Sequence, residues 1–477
     1  MADNRQDAPK LSIANSLDEA TIRELHSSVR GQLILPDDAA EYDKARTVFY
    51  GGFDRRPAAI VRPKDASDVS RVVSLAREGG LELAVKSGGH SLAGHGVSKG
   101  GIVLDLSGMK RLEIDTEQRT AWAQTGLTAG EYTAAVGAHG LATGFGDAGS
   151  VGIGGITLGG GVGLLVRKHG LTIDDVLAAE IVTADGELVR ADAENHPDLF
   201  WAIRGGGGNF GVVSRFRYSL HEVGTVVGGM MILPATPEVI ASFVAEAEAA
   251  PEELSTIANV MVAPPMPFLP DEVLGKLVIM ALMAYAGEVD KGERAIAPFR
   301  ALAEPIADMV RPMSYPEMYP PEEGDYHPTA AARTLFMDVV DRDVAQTIVE
   351  YLQASDAPMR VAQLRVLGGS MARVPVDATA FAHRSSRIMA NVAAFYEGPD
   401  DRATREAWVT DFAAALGGSD GGAYVNFLVD EGEERVRAAY PGSTWERLAE
   451  IKGRYDPTNL FRLNQNIPPA SKEHAAS

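Results

Sequence analysis

The sequence predicts an α+β fold built from more than one folding unit. Three observations predict it. The chain has 477 residues, more than one ordinary hydrophobic core holds, which implies two or three units. Residues 51–222 mix strand and helix patterns, and glycine-rich loops interrupt them at 87–96, 144–163 and 205–211. Residues 223–420 change to long apolar strand patterns alternating with helical ones.

In chain order, residues 1–50 read as a partly disordered start and a helical lead-in, with Leu17, Ile22 and Leu25 spaced for one helix face. AAIVR (58–62) is a short strand that Pro63 ends. Residues 65–80 form a helix. Asp65 caps it, Asp68 completes a capping box, and Val69, Val72, Val73 and Ala76 make its apolar stripe. Gly79 and Gly80 stop it. A strand follows in which Leu81, Leu83 and Val85 alternate with Glu82 and Lys86, and it runs into SGGHSLAGHG (87–96). A β-α-β unit whose second strand ends in a glycine loop is where α/β proteins place ligands.

GIVLDLS (101–107) is a buried strand, and 111–125 is a hairpin around Thr116 to Gln118. Thr128 and Glu131 cap a helix ending near Gly140. Residues 178–189 form a hairpin that turns at Asp185-Gly186. Residues 196–220 close this region with a glycine loop and a strand.

The stretch GFGDAGSVGIGGITLGGGVG (144–163) holds ten glycines in twenty residues. Such density is entropically costly. It implies either tight turns between short strands or backbone lying against a ligand. The stretch lacks the Gly-Lys-Ser/Thr ending of a Walker loop, and no loop has the G-x-G-x-x-G pattern and later acidic residue of a nicotinamide site. Three such loops in one domain point to a long phosphate-bearing ligand across several strand ends.

In the second region, 255–263 and 275–287 are strands and 344–353 is a helix. PPMPFLP (264–270) is either a connector or a substrate wall, and 314–328 is a long irregular loop of the kind that serves as a lid or wall. In the tail, 422–432 has a strand. Residues 440–470 give a helix, a turn at Asp456-Pro457 and an extended piece ending at Asn466-Ile467-Pro468. Asn464, Gln465 and Asn466 in a row are costly to bury without polar partners, and a heteroaromatic ring would suit them.

Composition narrows the function classes. A net charge of −21 argues against nucleic acid and anionic membrane surfaces. The absence of Cys excludes disulfides, thiolate metal sites and Cys nucleophiles, and no metal site is expected. MADNRQDAPK has no secretory h-region, and no apolar run approaches the roughly 20 residues of a membrane span. The expected location is the cytoplasm.

VKSGGHSLAGHG (85–96), VGIGGITLGGGVGLLVRKHGLTIDDVLAAEIVTADG (151–186), DLFWAIRGGGGNFGVV (198–213), YVNF (424–427) and KGRYDPTNLFRLNQNIPP (452–469) together resemble the berberine bridge enzyme-like branch of the vanillyl-alcohol oxidase superfamily of flavin-dependent oxidases. The matching pieces span nearly the whole chain in the family's order. The resemblance implies a PCMH-type FAD-binding domain of two α+β subdomains over 51–222. It implies a substrate domain over 223–420, an antiparallel sheet backed by helices. A lead-in over 1–50 and a return to the FAD domain over 421–477 complete the layout.

It further implies bound FAD. Lys86, Ser87, Gly88, Gly89, His90, Ser91, His95 and Gly96 would contact it from the first loop. Ala148, Gly149, Ser150, Val151, Gly154, Gly155, Leu158 and Gly163 would do so from the second. Glu180 and Val182 on the following strand, and Asn464 and Asn466 in the tail, complete the set. The alternative for the two Asn residues is a cap on the turn after FRL. His90 matches the position where this family links flavin C8α to a His nitrogen, the alternative being a His that only hydrogen-bonds phosphate. Some members add a Cys link where this chain has Ala148, so one link is implied. Val151 matches a position that reads as oxidase when small and as dehydrogenase when occupied by Leu.

Many relatives use Tyr-x-Asn-Tyr, whose last Tyr is the base. Here Phe427 stands there. Tyr424, His383 and Asp430 are the candidate catalytic residues, with Tyr396 a further one. The expected activity is hydride transfer from a CH–OH or CH–NH group, or from a C–C bond-forming centre, to flavin N5. The substrate would be a small organic molecule, with dioxygen as acceptor giving hydrogen peroxide. The alternatives are a dehydrogenase with another acceptor and a non-catalytic flavin-binding protein.

Overall fold

The computed structural model describes residues 17–320, 326–417 and 421–470. The expected disordered start and part of the 314–328 loop lie outside those residues.

Strands β1 (Gln32–Ile34), β2 (Ala59–Arg62), β3 (Leu83–Lys86) and β4 (Ile102–Asp105) form a sheet in the order β1-β2-β4-β3. β2 and β3 each pair in parallel with β4. The predicted β-α-β unit is thus present with β4 inserted between its strands. Its helix, Ala66–Glu78, buries Val69, Val72, Val73 and Ala76 completely.

Two local details differ from expectation. Asp65 caps the helix, but Asp68 does not close a capping box. Its carboxylate accepts from the N–H groups of Arg30, Gly31 and Lys64 at 2.8–3.0 Å, pinning the chain that enters β1. The alternation on β3 also fails, because Lys86 is buried and Val85 only half-buried. A short parallel strand covered on both faces has no polar side. Lys86 is instead neutralised by Asp105 at 3.3 Å.

From Leu112 onward run β5 (Leu112–Asp115), β6 (Thr120–Gln124), β7 (Leu141–Ala142), β8 (Val176–Val182), β9 (Leu188–Asp192), β10 (Val212–Ser219) and β11 (His221–Glu222). Five of them build an antiparallel sheet in the order β5-β6-β10-β8-β9, and β7 pairs with β11. The Thr128–Glu131 capping box forms as expected. The glycine stretch is not turns alone. Ile153–Leu158 is helical.

The third sheet contains β12 (Thr225–Pro234), β13 (Leu254–Val262), β14 (Leu277–Tyr285), β15 (Ala307–Asp308), β16 (Arg311–Ser314), β17 (Thr329–Met337), β18 (Met359–Val366) and β19 (Ile388–Tyr396). It is antiparallel, ordered β15-β12-β14-β13-β18-β19-β17, with β16 beside β12. Side chains alternate between its faces. Val260, Leu364, Ala390 and Val392 point to helices Pro237–Ala249, Arg342–Ala354 and Arg402–Leu416 and form a core with them. Tyr396 belongs to that core, so it faces away from the opposite side of the sheet.

Two loops differ from expectation. Residues 315–318 wind into a 3-10 turn, and the Tyr319 hydroxyl donates to Gly146 O at 2.9 Å, so this part braces the glycine stretch. Residues 422–432 hold no strand. Val425–Phe427 is a 3-10 turn.

Beside β11, the His169 ring stacks on His221 at 3.9 Å, and His221 bonds Asp175 at 2.6 Å. Burial pushes His169 down to about 3, with His221 and Lys168 adding to the shift. A His with a depressed native pKa gives stability that is present above its unfolded value and lost as pH falls towards the native one. Burial raises Asp175 to about 6, which acts in the opposite sense. The variant His169→Asn should therefore lose less Tm than the parent between pH 7 and pH 5. Parallel melting curves at the two pH values check this.

Candidate active site

The glycine loops and the third sheet enclose a cavity of about 580 Å³, within the roughly 300–1,000 Å³ range of small-molecule sites. The loop after β3 contributes Lys86 to Ser91, His95 and Gly96. The glycine stretch contributes Gly146 to Ala148, Val151, Gly152, Gly154 to Ile156, and Leu158. Gly207, Gly208 and Gly211 come from the third loop, and Asn464 and Gln465 from the tail. Opposite them lies one face of β13, β17, β18 and β19.

Glycine is obligatory where the first two loops touch. A Cβ on Gly88 would lie 2.2 Å from Gly152 N, and one on Gly152 would lie 2.2 Å from Gly88 N. Gly88→Ala must therefore push two backbones apart. Such overpacking costs about 1–3 kcal/mol, and a lower Tm together with a lower FAD-to-protein ratio in the purified enzyme would register it.

The tail is locked by a fully buried pair. Lys452 Nζ lies 2.7 Å from Asp456 and also donates to Asn209 O and Phe461 O. Asp456 accepts from the N–H groups of Leu460 and Phe461, both at 2.8 Å. Asn209, in the third glycine loop, donates to Gln465 O and accepts from Ile467 N–H. These bonds fix Asn464 at the cavity wall.

Several features fit a flavin nucleotide. The N–H groups of Gly88 and Gly89 donate to no acceptor among the described residues, as an anion-binding turn requires. A Cβ on Gly155 would meet nothing within 4 Å, so the open space there belongs to the cavity. Asn464 Oδ1 and Asn466 Oδ1 are buried without a donor among the described residues. His90 stacks on Phe49 at 4.1 Å and 16°.

The hydroxyl oxygen of Tyr424 accepts from the N–H groups of Gly161 at 3.0 Å, Val162 at 3.3 Å and Asn426 Nδ2 at 3.0 Å. Burial raises its pKa, and those N–H donors oppose the rise. Phe427 meets Tyr424 edge-on at 5.1 Å. Burial pushes His95 down to about 4, with Arg55 adding to it. It also pushes Tyr50 up to about 12, with Asp147 adding to it.

Most of the expected contact residues lie on this wall, and Tyr424 lies there too. Others do not. Gly149 packs on Gly130 and Tyr319. Gly163 abuts Phe145 O, where a Cβ would sit at 1.2 Å. Glu180 pairs with Arg215 at 2.6 Å, and Val182 is in the core behind β8. Ser150 and Asn466 are not on the wall. His383 does not reach the cavity. It is buried, with its ring stacked on Phe336 at 4.3 Å. Asp430 is exposed and also off the wall.

The residues that sequence reasoning missed are Phe49, Tyr50, Asp147 and Arg365, together with Asn259, Gln363 and Asn391. Arg365 Nη2 holds Asp147 at 2.9 and 3.0 Å. A polar residue breaking an apolar strand, as Asn259 does in STIANVMVA, was the available signal.

Comparison with known proteins agrees with this site. Residues 57–192 match the FAD binding domain family, and residues 423–468 match the family described as berberine and berberine like. A xylooligosaccharide oxidase of Thermothelomyces thermophilus is 30% identical, with 87% of this chain and 88% of that protein covered. The (R)-6-hydroxynicotine oxidase of Paenarthrobacter nicotinovorans is 29% identical, with 93% and 97% covered. The crystal structure of 6-hydroxy-D-nicotine oxidase from Arthrobacter nicotinovorans superposes with a TM-score of 0.82 at 28% identity, covering 93% of this chain and 99% of that one. With its fold, its cofactor cradle and its full-length relatives in agreement, this chain belongs to the berberine bridge enzyme-like family of FAD-linked oxidoreductases.

Proposed function

We propose that this enzyme is an oxidase that carries its FAD on His90 alone, takes hydride from a CH–OH or CH–NH carbon of a small organic molecule, and passes the electrons to dioxygen. The observation that carries the reading is one shared cavity. It gathers three glycine loops and His90 on one wall and a substrate-sized sheet face on the other. The same reading divides the chain into an FAD-binding part, 51–222 with 421–477, and a substrate part, 223–420.

Bound FAD supplies a hydride acceptor at N5 and a route to dioxygen. The protein's residues bind, orient and exclude water. Gly88 and Gly89 offer N–H groups to phosphate. Asn464 and Asn466 would offer their side-chain carbonyl oxygens to N–H donors of the bound cofactor. Tyr424 handles the proton that leaves the substrate as the hydride departs. Ala148 provides no second attachment point, and Val151 leaves a small side chain on the cavity wall.

Acid precipitation of the purified protein tests the attachment. A yellow pellet that turns colourless in His90→Ala is expected, and a colourless parent pellet would refute the tether. Peroxide detection across a substrate panel tests the acceptor. Substrate bleaching of the flavin without peroxide would move the assignment to a dehydrogenase. Val151→Leu should slow reoxidation by dioxygen more than reduction by substrate in stopped-flow traces.

A further inference from the structure

We propose that the substrate is a neutral, largely apolar ring compound with one polar group, and that Asn391 is the specificity-determining residue that reads that group. The proposal rests on the oxidase reading above. It comes from the register of the third sheet.

Asn259, Gln363 and Asn391 lie directly opposite one another on β13, β18 and β19. Two residues along each strand, on the same face, Met261, Val361 and Ala393 form the next row. Met359 and Phe395 begin a third. All of these line the cavity. Same-face rows are about 7 Å apart. The cavity roof is therefore one polar row followed by two apolar ones.

The polar row carries no free charge. Arg365 gives Nε to Gln363 Oε1, Nη1 to Val162 O and Nη2 to Asp147. The guanidinium is thus engaged on every nitrogen and paired with a carboxylate, so it presents no unpaired charge to an anion. Because Arg only donates, it fixes Gln363 with its oxygen towards Arg365. Gln363 Nε2 then donates to Asn259 Oδ1 at 2.9 Å.

Asn391 stands at the end of this ordered chain, and nothing fixes it. Its Oδ1 is buried with no partner, and no protein hydrogen bond orients its amide among the described residues. Rotation about χ2 exchanges its donor and acceptor ends. Asn391 can therefore meet a hydroxyl, carbonyl or lactam, whereas it cannot neutralise a carboxylate or an ammonium. A polyhydroxylated ligand would leave its hydroxyl groups unpaired under the two apolar rows. An apolar ring fills them.

The test uses the full-length holoenzyme and follows its visible flavin spectrum during titration. The probes are naphthalene-2-carboxamide, 2-naphthoate, (2-naphthyl)methylammonium and xylobiose. The carboxamide should bind at least tenfold more tightly than the other three. Asn391→Leu should weaken carboxamide binding about tenfold, and Asn391→Asp should shift preference to the ammonium probe. Tightest binding of xylobiose or naphthoate, no binding by any probe, or a carboxamide Kd unchanged in both variants would overturn the proposal. Preparations without a flavin spectrum would instead refute the underlying oxidase reading, and an intact spectrum in each variant shows that it folds.

Discussion

Replacing Lys452 with Met is expected to destabilise the enzyme by about 3–5 kcal/mol, the usual cost of removing one partner of a buried ion pair. Both side chains of the Lys452–Asp456 pair are completely buried. Without the ammonium, the Asp456 carboxylate keeps its two N–H donors but loses its counter-charge, and Asn209 O and Phe461 O lose a donor. Burial pulls Lys452 below its ordinary range, with Arg462 adding to this and Asp456 opposing it. The charge is held there by its partners. The double variant Lys452→Met with Asp456→Asn should be milder than Lys452→Met alone, because no lone charge remains. Denaturation curves separate the two. The damage should also reach the cofactor, because the same bonds hold the segment that carries Asn464. A flavin spectrum shifted from that of the parent at ambient temperature would show this.

The cofactor wall was legible because its constraints are local. A Gly-rich loop announces itself wherever backbones meet, and Gly88 against Gly152 is that case. Lys452 and Asp456 stand four residues apart in KGRYDPTNLFRLNQNIPP, on successive turns of one helix and its end. The substrate wall is different. Asn259, Gln363 and Asn391 are separated by 104 and 28 positions, and only strand register makes them neighbours. Alternation identifies two faces of a strand but not which one meets the cofactor. His383 misled for the related reason that a polar residue in an apolar setting can be buried far from any ligand. The strand expected at 422–432 failed because Val425–Phe427 is short enough for either state. Asp68 shows the same limit at small scale. Its spacing fits a capping box, yet its carboxylate is claimed by Arg30, Gly31 and Lys64.

Replacing Tyr424 with Phe is expected to lower kcat by about 100- to 10,000-fold, the range for a positioned proton-transfer group. Phe427 has no proton to give or take, so the proposed proton-handling group at this end of the cavity is the hydroxyl of its edge-on neighbour. Three N–H donors converge on the Tyr424 oxygen. A neutral phenol has lone pairs for two, whereas a phenolate has room for three. The donor set therefore favours the anion, and burial, the larger effect, keeps the resting group a phenol. That balance lowers the cost of transient deprotonation without charging the empty site. Because the pKa lies above its usual value of 10, parent kcat should keep rising through the alkaline range. The Phe variant should lose that rise along with most of its activity. The substrate comes from the peroxide screen. Flavin content and KM should change little, since Tyr→Phe keeps the ring packed on Phe381 and Phe427. A kcat within threefold of the parent, with the alkaline rise intact, would exclude Tyr424 from proton transfer and return the search to Tyr50 across the cavity.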